Sequence, residues 1–133
     1  MRTTRQNADT VAPPIGGYSH AVRVEAADAV WIHVSGQIAN APDGTLVAPG
    51  DLPGQTERVF ENLRLILEAN GATFADVVKI QTFVTTFDRF AESRAIRARY
   101  LPEEPPASTA VRVVALVVPD ALIEVDLVAV VPA

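Results

Sequence analysis

The run of residues 105–130, PPASTAVRVVALVVPDALIEVDLVAV, constrains the fold more than any other stretch of this chain. Two strand-length segments rich in Val, Leu and Ile flank a Pro119-Asp120 turn, which predicts a hairpin. Successive side chains of a strand point to opposite faces, and here both faces are largely apolar. A sheet with one face in water would alternate apolar and polar residues instead. We therefore expect helices to cover one face and another copy of the chain to cover the other, with any site lying where strand ends meet a neighbouring subunit.

Few polar side chains interrupt this run, and they are the first candidates for chemistry. Arg112, Glu124 and Asp126 are its charged residues on the predicted strands, and Ser108 and Thr109 stand at the start of the first strand. A lone buried glutamate needs a partner, because burying an unpaired charge is costly. Arg112 and Asp126 also fit a salt bridge at a strand edge or an interface, which would make them structural.

Length and composition limit the classes of protein to consider. A chain of 133 residues with 49% hydrophobic and 20% charged residues predicts a single globular domain. The net charge of −5 argues against a nucleic-acid partner, because such proteins usually present a basic face. No apolar run approaches the roughly 18 residues of a membrane span, and the N-terminus has no secretory signal. We therefore expect a cytoplasmic protein without a membrane partner.

Several kinds of site are not predicted. The chain has no cysteine, which excludes disulfides, a thiolate nucleophile and thiolate-bound metals. His20 and His33 lack the spacing of metal ligands and are predicted to be structural. There is no phosphate-binding glycine loop, nucleophile-elbow serine or carboxylate cluster suited to magnesium. We therefore expect neither a metal nor another cofactor.

The remaining strands are predicted from alternating apolar residues. Residues 1–12 are polar and predict an arm that is ordered only when it packs on a neighbour. Residues 21–25 and 30–38 predict a first hairpin, and residues 77–87 predict a further strand.

A glycine within the second of these strands points to a site. Gly36 predicts a bulge or the close approach of another group, which places Ser35 and Gln37 beside a candidate site.

Two helices are predicted between the strands. Asp51 is the expected N-cap of the first helix, and Gly71 is expected to end it. Asp88 is the expected cap of a second helix that runs to about Leu101. The resulting order, β-β-α-β-α-β-β, predicts an α+β two-layer sandwich.

Five strings in order and at consistent spacing resemble the reactive intermediate deaminase A (RidA) family, also called the YjgF family. They are IGGYSHAV at 15–22, VSGQI at 34–38, QTERVFENLRLILEANG at 55–71, DVVKIQTFV at 76–84, and PPASTAVRV through LIEVD at 105–126. The resemblance covers nearly the whole chain. It implies a chorismate-mutase-like fold, a homotrimer whose sheets line a central barrel, and clefts between subunits that hold small carboxylate-bearing metabolites.

The resemblance also implies site residues. Tyr18 and Ser35 match cleft positions of the family, and Glu124 matches a glutamate that would position or activate the attacking water or relay a proton. Alternatively, Tyr18 is a packing anchor and Ser35 a strand serine bonded to the backbone. Deaminating members carry an arginine at the start of the penultimate strand, where its guanidinium can clamp a substrate carboxylate. Here that position is Ser108, and the position usually held by cysteine or threonine is Ala110.

Arg94 is the residue expected to compensate for the missing arginine. It occupies a helix position that is often asparagine in the family, four residues after Phe90 and so on the same helix face. The alternative is that Arg94 belongs to a solvated basic face with Arg97 and Arg99.

Two functions follow as expectations. The first is water-assisted hydrolysis or deamination of a small imine, enamine or related carbonyl compound, with Glu124 as the catalytic residue. The second is binding or sensing of a metabolite without catalysis, because a serine hydroxyl replaces neither the charge nor the fork of an arginine. Ribonuclease activity is disfavoured by the acidic charge and the lack of a histidine acid–base pair. The expected substrate-binding residues are Tyr18, Ser35, Gln37, Arg94, Ser108, Thr109 and Ala110.

Overall fold

The computed structural model describes residues 1–133, which form six strands and two α-helices. The elements in chain order are β1 (Arg2–Gln6), β2 (Ala21–Ala26), β3 (Ala29–Gln37), α1 (Leu52–Ala69), β4 (Val77–Val84), α2 (Phe90–Tyr100), β5 (Ala107–Arg112) and β6 (Ile123–Pro132). A single 3₁₀ turn, Phe74–Asp76, precedes β4. The α+β class is confirmed. No helix in the chain is long and apolar enough to cross a membrane.

The strands form one sheet in the order β1-β2-β3-β6-β4-β5. Neighbouring strands are antiparallel except for β4 and β5, which run parallel. Helix α1 contacts β3 and β6, and α2 packs beside α1. The core lies between α1 and the sheet, and its fully buried side chains include Ile32, Phe60, Leu63, Ile66, Leu67, Ile80, Ile123 and Leu127.

The predicted hairpin of residues 105–130 is wrong. β4 lies between β5 and β6, so these two strands do not pair. The connection between them crosses the end of β4, where the Val113 amide donates to Val84 O at 2.8 Å and Thr85 N donates to Leu122 O at 3.0 Å. Apolar runs predict strands but do not identify their partners. Val114 and Val117, which looked like strand residues, are fully exposed in this connection.

Strand β6 shows why the run is apolar on two sides. Ile123, Val125, Leu127 and Ala129 are buried against the helical layer, whereas the residues between them remain partly exposed in the single chain. Helices therefore cover one face, as predicted. Cover of the other face by a second copy stays a prediction.

The N-terminal segment differs from the expected irregular arm. Residues 2–6 form β1, which pairs antiparallel with β2 of the same chain, from Arg2 opposite Glu25 to Gln6 opposite Ala21. The element order therefore gains one strand at its start. This edge strand is held by backbone hydrogen bonds to β2, and its side chains are polar. It therefore lacks the alternating apolar residues from which the other strands were predicted.

The first helix begins and ends as predicted, and the second does not. Asp51 caps α1 by accepting a hydrogen bond from Gly54 N at 3.2 Å, and Gly71 follows the helix with φ +72°. The expected cap Asp88 is wrong, because Arg89, in the left-handed conformation, occupies the N-cap of α2 without a side-chain cap hydrogen bond. α2 then ends at Tyr100.

Candidate functional site

A cleft of about 330 Å³ lies between the loop that carries Tyr18, the end of β3 and the start of β6. It brings together four of the predicted site residues, Tyr18, Ser35, Gln37 and Glu124. Its volume is at the lower end of the range of about 300–1,000 Å³ typical of small-molecule sites. The cleft therefore suits a compact metabolite.

Gly36 lets Glu124 lie close to the backbone of β3. The pairing of β3 with β6 shifts register between Val34 and Gln37, so the predicted bulge is confirmed. A Cβ atom added to Gly36 would stand 2.5 Å from Glu124 Oε1. A side chain at residue 36 would therefore displace the carboxylate. The observed position of the Glu124 carboxylate thus requires glycine at residue 36.

Glu124 is half-buried and electrostatically perturbed. Burial raises the pKa of its carboxyl, and the negative charge of Asp126 raises it further. Both effects disfavour the carboxylate form. Glu124 therefore holds its proton to a higher pH than an ordinary glutamate, which suits a group that must both accept and donate a proton.

Ser35 and Gln37 shape the cleft through their contacts. Ser35 Oγ donates to Ser19 O at 2.7 Å, which ties β3 to the loop beside Tyr18. The buried Gln37 amide nitrogen donates to Ser35 O and Gly36 O, both at 3.3 Å, and so braces the bulge. Tyr18 is 44% exposed over the cleft. Within the chain these contacts give Ser35 and Gln37 positioning roles.

His20 is buried beside the cleft and is fully engaged by the backbone. Its Nδ1 accepts from Ala8 N at 3.0 Å, which requires the proton on Nε2, 2.9 Å from Ala12 O. Burial lowers the pKa of the ring, so His20 is neutral at pH 7. These contacts agree with the predicted structural role. No three His, Asp or Glu side chains in the chain are grouped so that they could hold a metal ion.

Asn62 also lines the cleft and was not singled out from the sequence. Although it lies on α1 and is 1% exposed, its Nδ2 donates to Ile38 O and Asn40 O, at 3.2 and 3.0 Å. It thereby holds the chain that leaves β3. In the sequence, the feature that could have identified Asn62 is a polar side chain at a position of α1 that is buried.

The other predicted site residues form a separate group. Arg94 and Ala110 line a small cavity between α2 and the sheet, away from the cleft. Ser108 Oγ accepts from Arg97 Nη2 at 2.8 Å, and Thr109 Oγ1 accepts from Lys79 Nζ at 3.0 Å. A single chain does not bring this group to Glu124, because β4 separates β5 from β6.

The suggested basic face of α2 is only partly correct. Arg94 is exposed, and Arg99 is exposed and paired with Glu57 at 2.7 Å. Arg97 instead turns inward to Ser108, and its Nε is buried. Sequence spacing placed Arg97 among solvated residues and missed this orientation.

Arg112 and Asp126 form no ion pair within the chain. Arg112 Nε donates to Thr85 O at 3.3 Å, and Asp126 accepts from Gln81 Nε2 at 3.3 Å. Asp126 instead acts on the site through its charge, because it raises the pKa of Glu124.

Comparisons with known proteins agree with this architecture. Residues 9–131 match the family model described as Endoribonuclease L-PSP. A RutC family protein of Pyrococcus abyssi is 39% identical over 116 residues, which cover 87% of each chain. RidA of an Antarctic Psychrobacter bacterium has a similar crystal structure, with a TM-score of 0.81, 32% identity, and coverage of 96% of this chain and 100% of that one.

A solved structure with a bound ligand is also similar. The crystal structure of TdcF from E. coli with bound serine matches with a TM-score of 0.80 and 25% identity, and covers 96% of this chain and 98% of that one. The family and the fold expected from the sequence strings are therefore confirmed.

Proposed function

Because this chain belongs to the Endoribonuclease L-PSP family, the group of the RutC and Rid proteins, we propose that it hydrolyses a small imine or enamine carboxylate in the cleft between Tyr18 and Glu124. The observation that carries the proposal is the half-buried Glu124, whose pKa is raised and whose carboxylate lies over Gly36 in this cleft. The serine bound to the similar TdcF supports a ligand of amino-acid size.

The reaction needs one group that takes and returns protons. The substrate enters as an iminium, and the Glu124 carboxylate accepts a proton from water as the water oxygen bonds to the C=N carbon. The carboxyl then protonates the nitrogen of the resulting carbinolamine. The C–N bond breaks to release ammonia as the Glu124 carboxylate accepts the hydroxyl proton, which it passes to the ammonia. The products are a 2-keto acid and ammonium. The raised pKa of Glu124 makes its carboxylate a stronger proton acceptor than that of an ordinary glutamate, which supports the first transfer.

We further propose that the working site lies between subunits of a homotrimer. The predicted residues on β5 and α2 lie apart from the cleft in one chain, so a neighbouring copy would have to supply them. Every residue of β5 is exposed, and β5 is an edge strand with a free side. An open edge with exposed Val111 is suited to contact with another subunit.

The test is ammonia release from 2-imino acids that an amino-acid oxidase generates in situ. Wild-type protein should accelerate the release over buffer, and Glu124→Gln should abolish the acceleration, because an amide cannot accept the proton from water. Asp88→Asn, an exposed acidic position outside the cleft, is the matched control and should keep full turnover. Full turnover in Glu124→Gln would remove this residue from the mechanism.

A second function is favoured by Ser108. Without an arginine at this position of β5, the trimer would bind a small carboxylate without converting it. Binding in the absence of ammonia release from several imino acids would favour this function. Ribonuclease activity gains no support from the cleft, because its one histidine, His20, is neutral and held by Ala8 and Ala12.

A further inference from the structure

A second cavity, of about 110 Å³, lies between α2 and the sheet. Its polar lining comes from Thr56 on α1, whose Oγ1 donates to Leu52 O, from Thr82 on β4, and from Ser93, Arg94 and Arg97 on α2. Ala110 of β5 lies beside them. One water molecule occupies roughly 30 Å³ in the liquid, so this space exceeds what a single solvent molecule needs. It is separate from the cleft that contains Glu124.

Buried polar atoms without partners are concentrated among the residues that line this cavity. Five buried side-chain polar atoms in the chain lack a hydrogen-bond partner, and three of them belong to residues lining the cavity: Thr82 Oγ1, Ser93 Oγ and Arg97 Nε. Thr82 is 5% exposed and Ser93 is 3% exposed. Native proteins pair nearly all such groups, so three unpaired polar atoms on neighbouring residues need a common explanation. A ligand that accepts hydrogen bonds would supply it.

The charge of the cavity identifies the kind of ligand. Arg64, Arg89 and Arg99 each form an ion pair with a carboxylate, but Arg94 and Arg97 form none. Burial lowers the pKa of Arg97, and the neighbouring charge of Arg94 lowers it further, with no acidic side chain to oppose them. Two adjacent cations without an acid, in a chain of net charge −5, favour the binding of an anion.

Arg97 is also held in a defined orientation. Its Nη2 donates to Ser108 Oγ at 2.8 Å, so the guanidinium lies against the strand position where deaminating relatives are expected to carry an arginine. Helix α2 thus brings a guanidinium to the Ser108 position, which has no arginine of its own. Ala110, the small residue two positions further on, leaves the adjacent space open.

We propose that this cavity binds a small carboxylate, held by the guanidinium groups of Arg97 and Arg94 and by the hydroxyls of Thr82 and Ser93. A planar carboxylate accepts paired hydrogen bonds from a guanidinium, and the two hydroxyls donate to the remaining lone pairs. Binding of a carboxylate in this cavity does not depend on the proposed function. Only the identification of that carboxylate as part of the substrate rests on it. Arg97, rather than Arg94 alone, then replaces the family arginine.

The experiment is a titration of the ¹⁵N-labelled full chain with acetate, pyruvate and inorganic phosphate in chloride-free buffer, followed by NMR. Arg97→Gln should raise the Kd for pyruvate by about ten-fold or more, because a charge-assisted hydrogen bond is lost. Arg99→Gln, two residues along the same helix at an exposed site, should leave it within about two-fold.

A second variant separates binding from folding. Thr82→Val keeps the shape of the side chain and removes a buried hydroxyl without a partner. It should raise the melting temperature of the free protein and weaken pyruvate binding, a combination that a purely structural threonine would not produce.

Three results would overturn the inference. These are no anion binding by the wild type, equal affinities in wild type, Arg97→Gln and Thr82→Val, and a clear preference for phosphate over both carboxylates. Arg97-dependent carboxylate binding without ammonia release would leave the inference standing and remove the proposed hydrolysis. Ammonia release together with an unchanged affinity of Arg97→Gln for pyruvate would overturn this inference and leave the proposed hydrolysis standing.

Discussion

Gly36 is the residue that decides how closely the carboxylate of Glu124 approaches strand β3. The contact involves the end of a flexible side chain, so an added methyl group displaces the carboxylate more than it strains the backbone. The effect of a substitution should therefore appear in activity before it appears in stability.

We predict that Gly36→Ala lowers the turnover of imino acids by about a hundred-fold, since a displacement of about 1 Å in a reacting group has this order of effect. Gly17→Ala is the matched control, because Gly17 lies in the cleft loop region and has no atom within 4 Å of an added Cβ. Turnover and thermal melting are the measurements. Equal turnover in the two variants would show that the position of Glu124 does not depend on Gly36.

At the scale of elements, the starts of the two helices are built differently. α1 begins with an aspartate whose carboxylate accepts a backbone amide hydrogen bond, whereas α2 begins with left-handed Arg89, whose guanidinium pairs with Asp51 and Glu92 at 3.1 and 2.7 Å. Asp51 thus serves both helices.

We predict that Asp51→Ala destabilises the protein by about 1 kcal/mol through loss of the cap, with the exposed ion pair to Arg89 adding little. Asp88→Ala removes a similar acidic residue that makes no cap bond, and its effect should stay within about 0.5 kcal/mol. Urea unfolding measures both. Equal destabilisation by the two substitutions would contradict the assigned cap.

Helix ends and the β-bulge, which depend on residues close together in the sequence, were predictable from it. The pairing of strands was not. The cap at Asp51, the stop at Gly71 and the bulge at Gly36 each depend on neighbouring residues, so the sequence reveals them. Strand β1 has no apolar pattern, and the partner of β5 depends on a connection that crosses the end of β4.

The candidate site divides in the same way. Tyr18, Ser35, Gln37 and Glu124 line one cleft within the chain. The inward turn of Arg97 and the three orphan polar atoms in one cavity emerge only from the packing of α2 on the sheet. Sequence spacing identifies the face of a helix but not the direction in which a long side chain bends.

At the scale of the whole molecule, the proposed trimer makes each site a product of two chains. The cleft with Glu124 would come from one subunit and the Arg97 cavity from its neighbour. Glu124→Gln and Arg97→Gln would then damage opposite halves of each site. A mixed trimer contains some sites in which both halves are intact.

We predict that the two variants, each of low activity alone, regain about a quarter of wild-type turnover when they are unfolded and refolded together, as random assembly of a cyclic trimer requires. The same treatment of each variant alone is the control. Light scattering should give about 43 kDa, since three copies of 14.2 kDa make 42.6 kDa. A monomer mass, or no regained turnover, would place the whole site in one chain.

The position of β6 in the sheet affects the nascent chain during synthesis. Of the six strands of this sheet β6 is synthesised last, yet it lies between β3 and β4 and pairs Pro132 with Ala29. Until β6 leaves the ribosome, the hairpin of β2 and β3 and the pair of β4 and β5 present open inner edges. Pairing of residues so distant in sequence is slow to form. The nascent chain therefore passes through a stage in which its central strands are open to other polypeptides, and the last strand ends that exposure.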